Sequence, residues 1–201
     1  INKMTINNSL NALISYEVSE HIKESEKILD FNYEINFLVA KIISCFENNN
    51  KILICGNGGS AADAQHLAAE FLIRLRPNVN RPPIPAISLC TDTSMLTACG
   101  NDYQFEDIFL RPFKALSKKN DILIIISTSG NSKNIIKVLK EAKKQKIFSV
   151  GLLGKGGGRA KKMLTKSIIV PSNNTARIQE CHIFIGHFIF EKVEDLLIAK
   201  K

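Results

Sequence analysis

Two stretches of this chain share one design. Lys51-Ile-Leu-Ile-Cys-Gly-Asn-Gly-Gly-Ser60 and Asp121-Ile-Leu-Ile-Ile-Ile-Ser-Thr-Ser-Gly-Asn-Ser132 each run from an apolar, β-prone segment into a small polar loop, with a helix-forming segment beyond. Continuous Ile/Leu runs of this length are strands buried on both faces. That burial requires a parallel sheet covered by helices. Each loop then lies at the C-terminal end of a strand and the N-terminal end of a helix. Free backbone N–H groups and the helix dipole favour an anion there. Two such loops in one short α/β chain point to a ligand with a phosphate at one end and a polar body.

The rest of the chain fits this frame. Residues 1–50 predict a helical pair, roughly Asn8 to Leu29 and Tyr33 to Glu47, with a break at Asp30 to Asn32. In the second helix Ile35, Leu38, Val39, Ile42, Ile43 and Phe46 recur at helical spacing. Residues 51–201 alternate. Strands are expected at Lys51–Cys55, Pro85–Leu89, Ile122–Ser127, Phe148–Leu153 and Ser167–Val170. Helices are expected at Ser60–Ile73, Thr93–Ala98, Phe105–Leu116, Lys133–Lys144, Arg159–Leu164 and from about Thr175 to Ala199. Gly154 to Gly158 forms a third loop of the same kind, richer in glycine and without hydroxyls. No linker or repeat divides the chain, and 201 residues with 45% hydrophobic content suit one domain with a real core.

Several function classes are set aside by composition. The most apolar segment, Cys181 to Ala199, is broken by His182, His187, Glu191, Lys192, Glu194 and Asp195, so no membrane span is expected. The start of the chain lacks the apolar core of a signal peptide, and the residues before Met4 carry no functional reading. Five cysteines, Cys45, Cys55, Cys90, Cys99 and Cys181, are scattered and form no CxxC pair. They are expected to be buried, reduced thiols in a cytoplasmic protein. The net charge of +8 invites a nucleic-acid reading, but the excess lies on Lys133 to Lys146 and Lys155 to Lys166. Those lysines suit the solvated faces of two helices and carry no interleaved aromatics. The segment Gly56-Asn-Gly-Gly-Ser-Ala61 also fits a loose dinucleotide fingerprint. That fingerprint needs an acidic residue about 20 positions on, and Asp92 comes much too late.

The residues suited to chemistry cluster near the first loop. His66 and Glu70, at i and i+4, share a helix face with Asp63. A histidine and a carboxylate one turn apart can bind a divalent metal or act as an acid–base pair. The structural alternative is an ordinary exposed helix pair. Arg74, four residues after Glu70, is placed to pair with it or to reach a ligand. His187 sits among Phe184, Ile185, Phe188, Ile189 and Phe190, a setting equally suited to a core histidine. Its best same-face partner is Glu180 at i−7. Gln179 at i−8 lies roughly 80° round the helix. His182 points elsewhere and reads as structural or surface. Asn101 and Asp102, beyond the second strand, lie at the ligand-binding edge of the sheet or form a simple turn.

Taken in order, Ile54-Cys-Gly-Asn-Gly-Gly-Ser-Ala-Ala-Asp63, His66-Leu-Ala-Ala-Glu70, Gly100-Asn-Asp102, Ile126-Ser-Thr-Ser-Gly-Asn-Ser132 and Ala176-Arg-Ile-Gln-Glu-Cys-His182 with His187 resemble the phosphoheptose isomerase family of the sugar-isomerase (SIS) domain superfamily. The resemblance covers nearly the whole chain. It implies a single SIS domain: a three-layer α/β fold with a five-stranded parallel sheet flanked by helices. It further implies a homotetramer using the N-terminal helices, with active sites between subunits. Carried over, it makes Asn57, Gly58 and Gly59 substrate contacts with Ser60 beside them. Asn101, Asp102, Ser127, Thr128, Ser129 and Ser132 would bind the sugar phosphate. Glu70 and His187 would be the catalytic pair, with Glu70 and Gln179 also touching substrate. His66, Glu70, Gln179 and His187 would hold one zinc ion per subunit. Helical geometry prefers Glu180 to Gln179 beside His187, and the resemblance names the glutamine. Some members carry Asp before the Arg-Ile-Gln segment, where this chain has Ala176.

The activity so implied interconverts sedoheptulose 7-phosphate and D-glycero-D-manno-heptose 7-phosphate through an enediol, at the first step of nucleotide-heptose biosynthesis for lipopolysaccharide or capsule. Glu70 would be the base and His187 the acid. Zinc would polarise the carbonyl. A second reading comes from similar SIS proteins that are non-enzymatic tetramers binding the replication initiator protein. A third is a sugar-phosphate-sensing regulatory domain. The set of His66, Glu70, Gln179 and His187 favours the enzyme, because a binding module needs no such constellation.

Overall fold

The computed structural model of the protein describes residues 3–199, with side chains from residue 9 onward. The outermost positions of the 1–201 domain read from the sequence lie outside the described residues. Helix α1 (Lys3–Glu26) and helix α2 (Asn32–Glu47) precede a core of five strands and five further helices. These are β1 (Ile52–Gly56), α3 (Gly59–Leu72), β2 (Ala86–Ser88), α4 (Thr93–Asp102), α5 (Leu110–Leu116), β3 (Ile122–Ser127), α6 (Lys133–Lys144), β4 (Phe148–Leu153), β5 (Lys166–Ile169) and α7 (Thr175–Ala199).

All strand pairs are parallel, in the order β2-β1-β3-β4-β5. Every residue of β1 and β3 is buried, as their Ile/Leu runs demand. Helices α2, α3 and α7 pack together over one face, and α5 and α6 pack over the other. The order reverses between β1 and β3. From β1 the chain crosses to β2 on one side, and from β3 it crosses to β4 on the other. Right-handed crossovers in opposite directions place α3 and α6 on opposite faces of the sheet. The loops after β1 and β3 therefore part at a crevice, the place where open α/β sheets bind ligands. In register, Gly56 lies beside Ile126.

Three helical expectations change. The 105–116 stretch divides into a tight turn, Phe105–Asp107, and the short α5. Pro112 lacks an N–H and its ring clashes with the carbonyl four residues back, so it must lie in a first turn. The 159–164 stretch makes only a single tight turn, Ala160–Lys162, so its lysines do not line a helix face. The break between α1 and α2 is a turn of 3-10 helix at Lys27–Phe31, ahead of the expected position. All five cysteines are free and buried. Burial pushes the Cys45 thiol up to about 11, with Asp121 adding to the shift.

Candidate active site

Helices α3 and α7 run side by side in the same direction, and this places the chemistry. Gln179 near the start of α7 packs against Gly59 at the start of α3, where a Cβ would stand 2.5 Å from Gln179 Nε2. Further along, Gly186 lies against Leu67, and a Cβ there would stand 2.7 Å from Leu67 Cδ2. One turn beyond that, Phe71 packs on Phe190. Gly186 thus permits the close approach that brings His187 to His66. Their Nε2 atoms face each other at 2.8 Å, with the rings edge to face. Glu70 Oε1 lies 3.7 Å from His66 Nε2.

Two imidazole nitrogens at 2.8 Å share one proton, and the ring that accepts it must be neutral there. The electrostatics agree for His187. Burial lowers its pKa and the neighbouring His66 lowers it further, while Glu70 opposes both. Asp63, on the same face, has a buried Oδ2 without a hydrogen-bond partner. Burial raises its pKa and His66 partly offsets the rise. His66 remains open, with 47% of its side chain exposed, whereas Glu70 is at 19%.

A buried ion pair fixes the far end of the α3–α7 seam. Arg81 and Glu194 bond at 2.8 Å with side chains 2% and 1% exposed. Arg81 also donates to the carbonyls of Glu70 at 2.6 Å and Phe71 at 2.8 Å, satisfying the end of α3. Glu194 accepts from Arg76 and from the Leu75 N–H as well. Burial would raise the Glu194 carboxyl, but these donors hold it below its ordinary value. Neither Arg81 nor Glu194 stood out in the sequence.

The two loops meet through an amide pair. Asn57 Nδ2 donates to Asn134 Oδ1 at 2.9 Å and Asn134 Nδ2 donates to Asn57 Oδ1 at 2.8 Å. Asn134, buried in the first turn of α6, was not singled out in the sequence either. A cavity of about 330 Å³ opens here, lined by Asn57, Phe105, Glu106, Ser132, Lys133 and Asn134. In the second loop the Gly130 N–H donates to Ser127 Oγ and the Asn131 N–H to Ser129 Oγ. Each hydroxyl, used as an acceptor, keeps its own hydrogen for a ligand. Ser132 begins α6 without a side-chain capping bond, and Thr128 is half-buried.

Other expected residues are placed differently. Ser60 is buried against Gly56. Asn101 and Asp102 end α4, exposed and bonded to each other, and do not line the cavity. Arg74 lies beyond α3, because the helix stops at Leu72. It is exposed and makes no ion pair with Glu70. Glu180 does not accompany His187. It binds His21 of α1 at 2.8 Å and Arg177 at 2.6 Å, on another face of α7. His182 is fully buried and so is not a surface residue.

For zinc the donor types are right: two imidazoles facing each other with a carboxylate beside them. Nitrogens sharing one tetrahedral zinc stand about 3.3 Å apart, so a slight opening of the 2.8 Å pair would admit it. Among the described residues no three His, Cys, Asp or Glu side chains are already gathered around a metal-sized point. Gln179 lies eight residues and roughly 12 Å back along α7 from His187.

Comparison with known proteins places this architecture. Residues 18–154 match the family model of the SIS domain. The chain is 47% identical to a phosphoheptose isomerase of Nitratiruptor sp. over 90% of its length and 97% of that protein's. It is 46% identical to a phosphoheptose isomerase of Clostridium acetobutylicum, covering 94% of this chain and 96% of the relative. Among solved structures it resembles the phosphoheptose isomerase of Neisseria gonorrhoeae, with a TM-score of 0.85 and 38% identity over 92% of this chain and 99% of that one. The Francisella tularensis enzyme gives 0.84 and 34% over 93% and 98%. The chain belongs to the phosphoheptose isomerase family of SIS-domain proteins.

Proposed function

We propose that the protein is an aldose–ketose isomerase that interconverts sedoheptulose 7-phosphate and D-glycero-D-manno-heptose 7-phosphate. The observation that carries this reading is the meeting of His66, Glu70 and His187 on the α3–α7 seam, above paired anion loops at the sheet's reversal point. His66 lies seven residues, roughly 10 Å, along α3 from the first loop. An extended seven-carbon phosphate ester is comparable in length. The Ser127–Ser132 loop holds the phosphate, so remote binding energy orients the reacting end.

The reaction moves a proton between C1 and C2. Glu70 takes the proton from one carbon and returns it to the other. His187, neutral near pH 7, gives its Nε2 proton to the carbonyl oxygen and takes one back from the adjacent hydroxyl as the enediol collapses to the new carbonyl. Its bond to His66 is then replaced by a bond to substrate. Zinc, when bound, would polarise the carbonyl in place of the His187 proton, held by His66, Glu70 and His187. Gln179, about 12 Å back along α7, could join them only from a neighbouring subunit.

A homotetramer with sites between subunits is part of the proposal. Two features support it. Leu10, Leu13, Ile14, Val18 and Ile22 of α1 and Phe184 and Phe188 of α7 are exposed apolar side chains. The partly open His66 also leaves room for a neighbouring subunit. No described helix is long and apolar enough to cross a membrane. A cytoplasmic role in heptose supply for lipopolysaccharide or capsule completes the proposal.

The test is incubation with sedoheptulose 7-phosphate before and after chelation, with the product identified by NMR and the mass measured by light scattering. Absence of an aldoheptose phosphate from the untreated tetramer would sink the reading.

A further inference from the structure

We propose that the Gly154–Gly158 loop is a positioning element for the phosphate loop, and that Asn131 is the positioning residue that joins them. The inference rests on the reading of Ser127–Ser132 as the phosphate site. Strands β3 and β4 are neighbours with Ser127 beside Leu153, so their two loops emerge side by side. They are then bound together at two points. Asn131 Oδ1 accepts the Arg159 N–H at 3.0 Å, and the Gly130 carbonyl accepts the Ala160 N–H at 2.9 Å.

The backbones also interlock. A Cβ on Gly130 would collide with the Gly157 carbonyl, and one on Gly158 would collide with the Ser129 carbonyl. Lys155, Gly156, Gly157 and Gly158 all have positive φ, a run that side chains other than glycine rarely tolerate. The loop is held in that form by the Gly157 N–H on the Gly154 carbonyl and the Lys155 N–H on the Ser172 carbonyl.

The consequence falls on the phosphate loop. Asn131 sends its own N–H to Ser129 Oγ and its side chain to the third loop. The orientation of the Ser129 hydroxyl therefore depends on a contact outside the phosphate loop. The glycine and lysine content of the third loop, with no hydroxyls, suits a backing element rather than a second ligand loop.

The experiment compares Asn131→Ala and Gly158→Ala with the unmodified protein. It measures kcat and KM for sedoheptulose 7-phosphate and, by calorimetry, the Kd of inorganic phosphate. Each variant should raise KM and the phosphate Kd together by roughly tenfold, with kcat within about twofold. The double variant should weaken binding no more than the worse single one, because both act on one junction. Loss of fold alone would lower the active fraction and kcat without moving KM. Should Gly158→Ala fail to fold, Asn131→Ala, at an exposed position, decides the matter. An unchanged phosphate Kd in Asn131→Ala overturns the proposal. If the unmodified protein binds phosphate but does not isomerise the sugar, the functional reading fails and this one is still judged on the Kd. If it binds no phosphate, both fail.

Discussion

Asn57 and Asn134 exchange two side-chain amide hydrogen bonds, at 2.9 and 2.8 Å, across the crevice where the sheet order reverses. The pair joins the loop after β1 to the first turn of α6, and so couples the two loops that flank the crevice. Asn134→Leu removes both bonds and leaves the Asn57 amide without its partner. A group left unpaired costs roughly 1–3 kcal/mol. Steady-state kinetics should show kcat/KM lowered by about tenfold or more. Wild-type kcat/KM in the variant would mean that the two loops are positioned independently.

Glu70→Gln and His187→Gln should each lower kcat by about 10²-fold or more, the usual scale of a lost acid or base. Glu70 is a half-buried side chain and His187 lies on a partly open face, so circular dichroism and assembly should be retained. Near-normal turnover in either variant would remove that residue from the proton path.

Gly186→Val tests whether the approach of α7 to α3 sets the catalytic geometry. The new Cβ meets Leu67 at 2.7 Å and must push the helices apart. Overpacking of this kind costs about 1–3 kcal/mol, and kcat should fall more steeply than stability as His187 leaves His66. Adding Leu67→Ala restores space and should recover part of kcat even though it costs further stability. Calorimetry and kinetics on the three variants separate the two effects.

His182 predicts an acid-sensitive fold. It is fully buried and neither ring nitrogen makes a well-aligned hydrogen bond. Burial lowers its pKa from 6.5 to about 4, with the Leu153 backbone beside the ring offsetting part of the shift. Between those values the unfolded chain binds a proton that the folded protein refuses. Stability therefore falls as pH drops through that window and is unaffected by this group above it. The loss approaches roughly 3 kcal/mol near pH 4. Urea midpoints at pH 7 and pH 4.5 should differ less in His182→Leu than in the unmodified protein. An equal pH dependence in both would assign the acid sensitivity elsewhere.

Much of this molecule is local, and what is local can be read from the chain. The Ile/Leu runs of β1 and β3 announce buried parallel strands, and the Gly, Asn and Ser that follow them mark the strand-to-helix loops. His66 and Glu70 share a face because the helical repeat puts them there. Pro112 carried a local signal as well, since it had to begin a helix rather than sit inside one.

The tertiary structure decided what distance along the chain conceals. His66 meets His187 across 121 positions, and Asn57 meets Asn134 across 77. Spacing within one helix preferred Glu180 to Gln179 beside His187. Packing on each face of α7 decided otherwise, because α1 takes Glu180, while Gln179 lies against Gly59. Arg81 and Glu194, 113 positions apart, are buried together as an ion pair. Periodicity specifies which elements form and which face of each is apolar. Only the packing of those faces determines which polar residues come together at the seams between them.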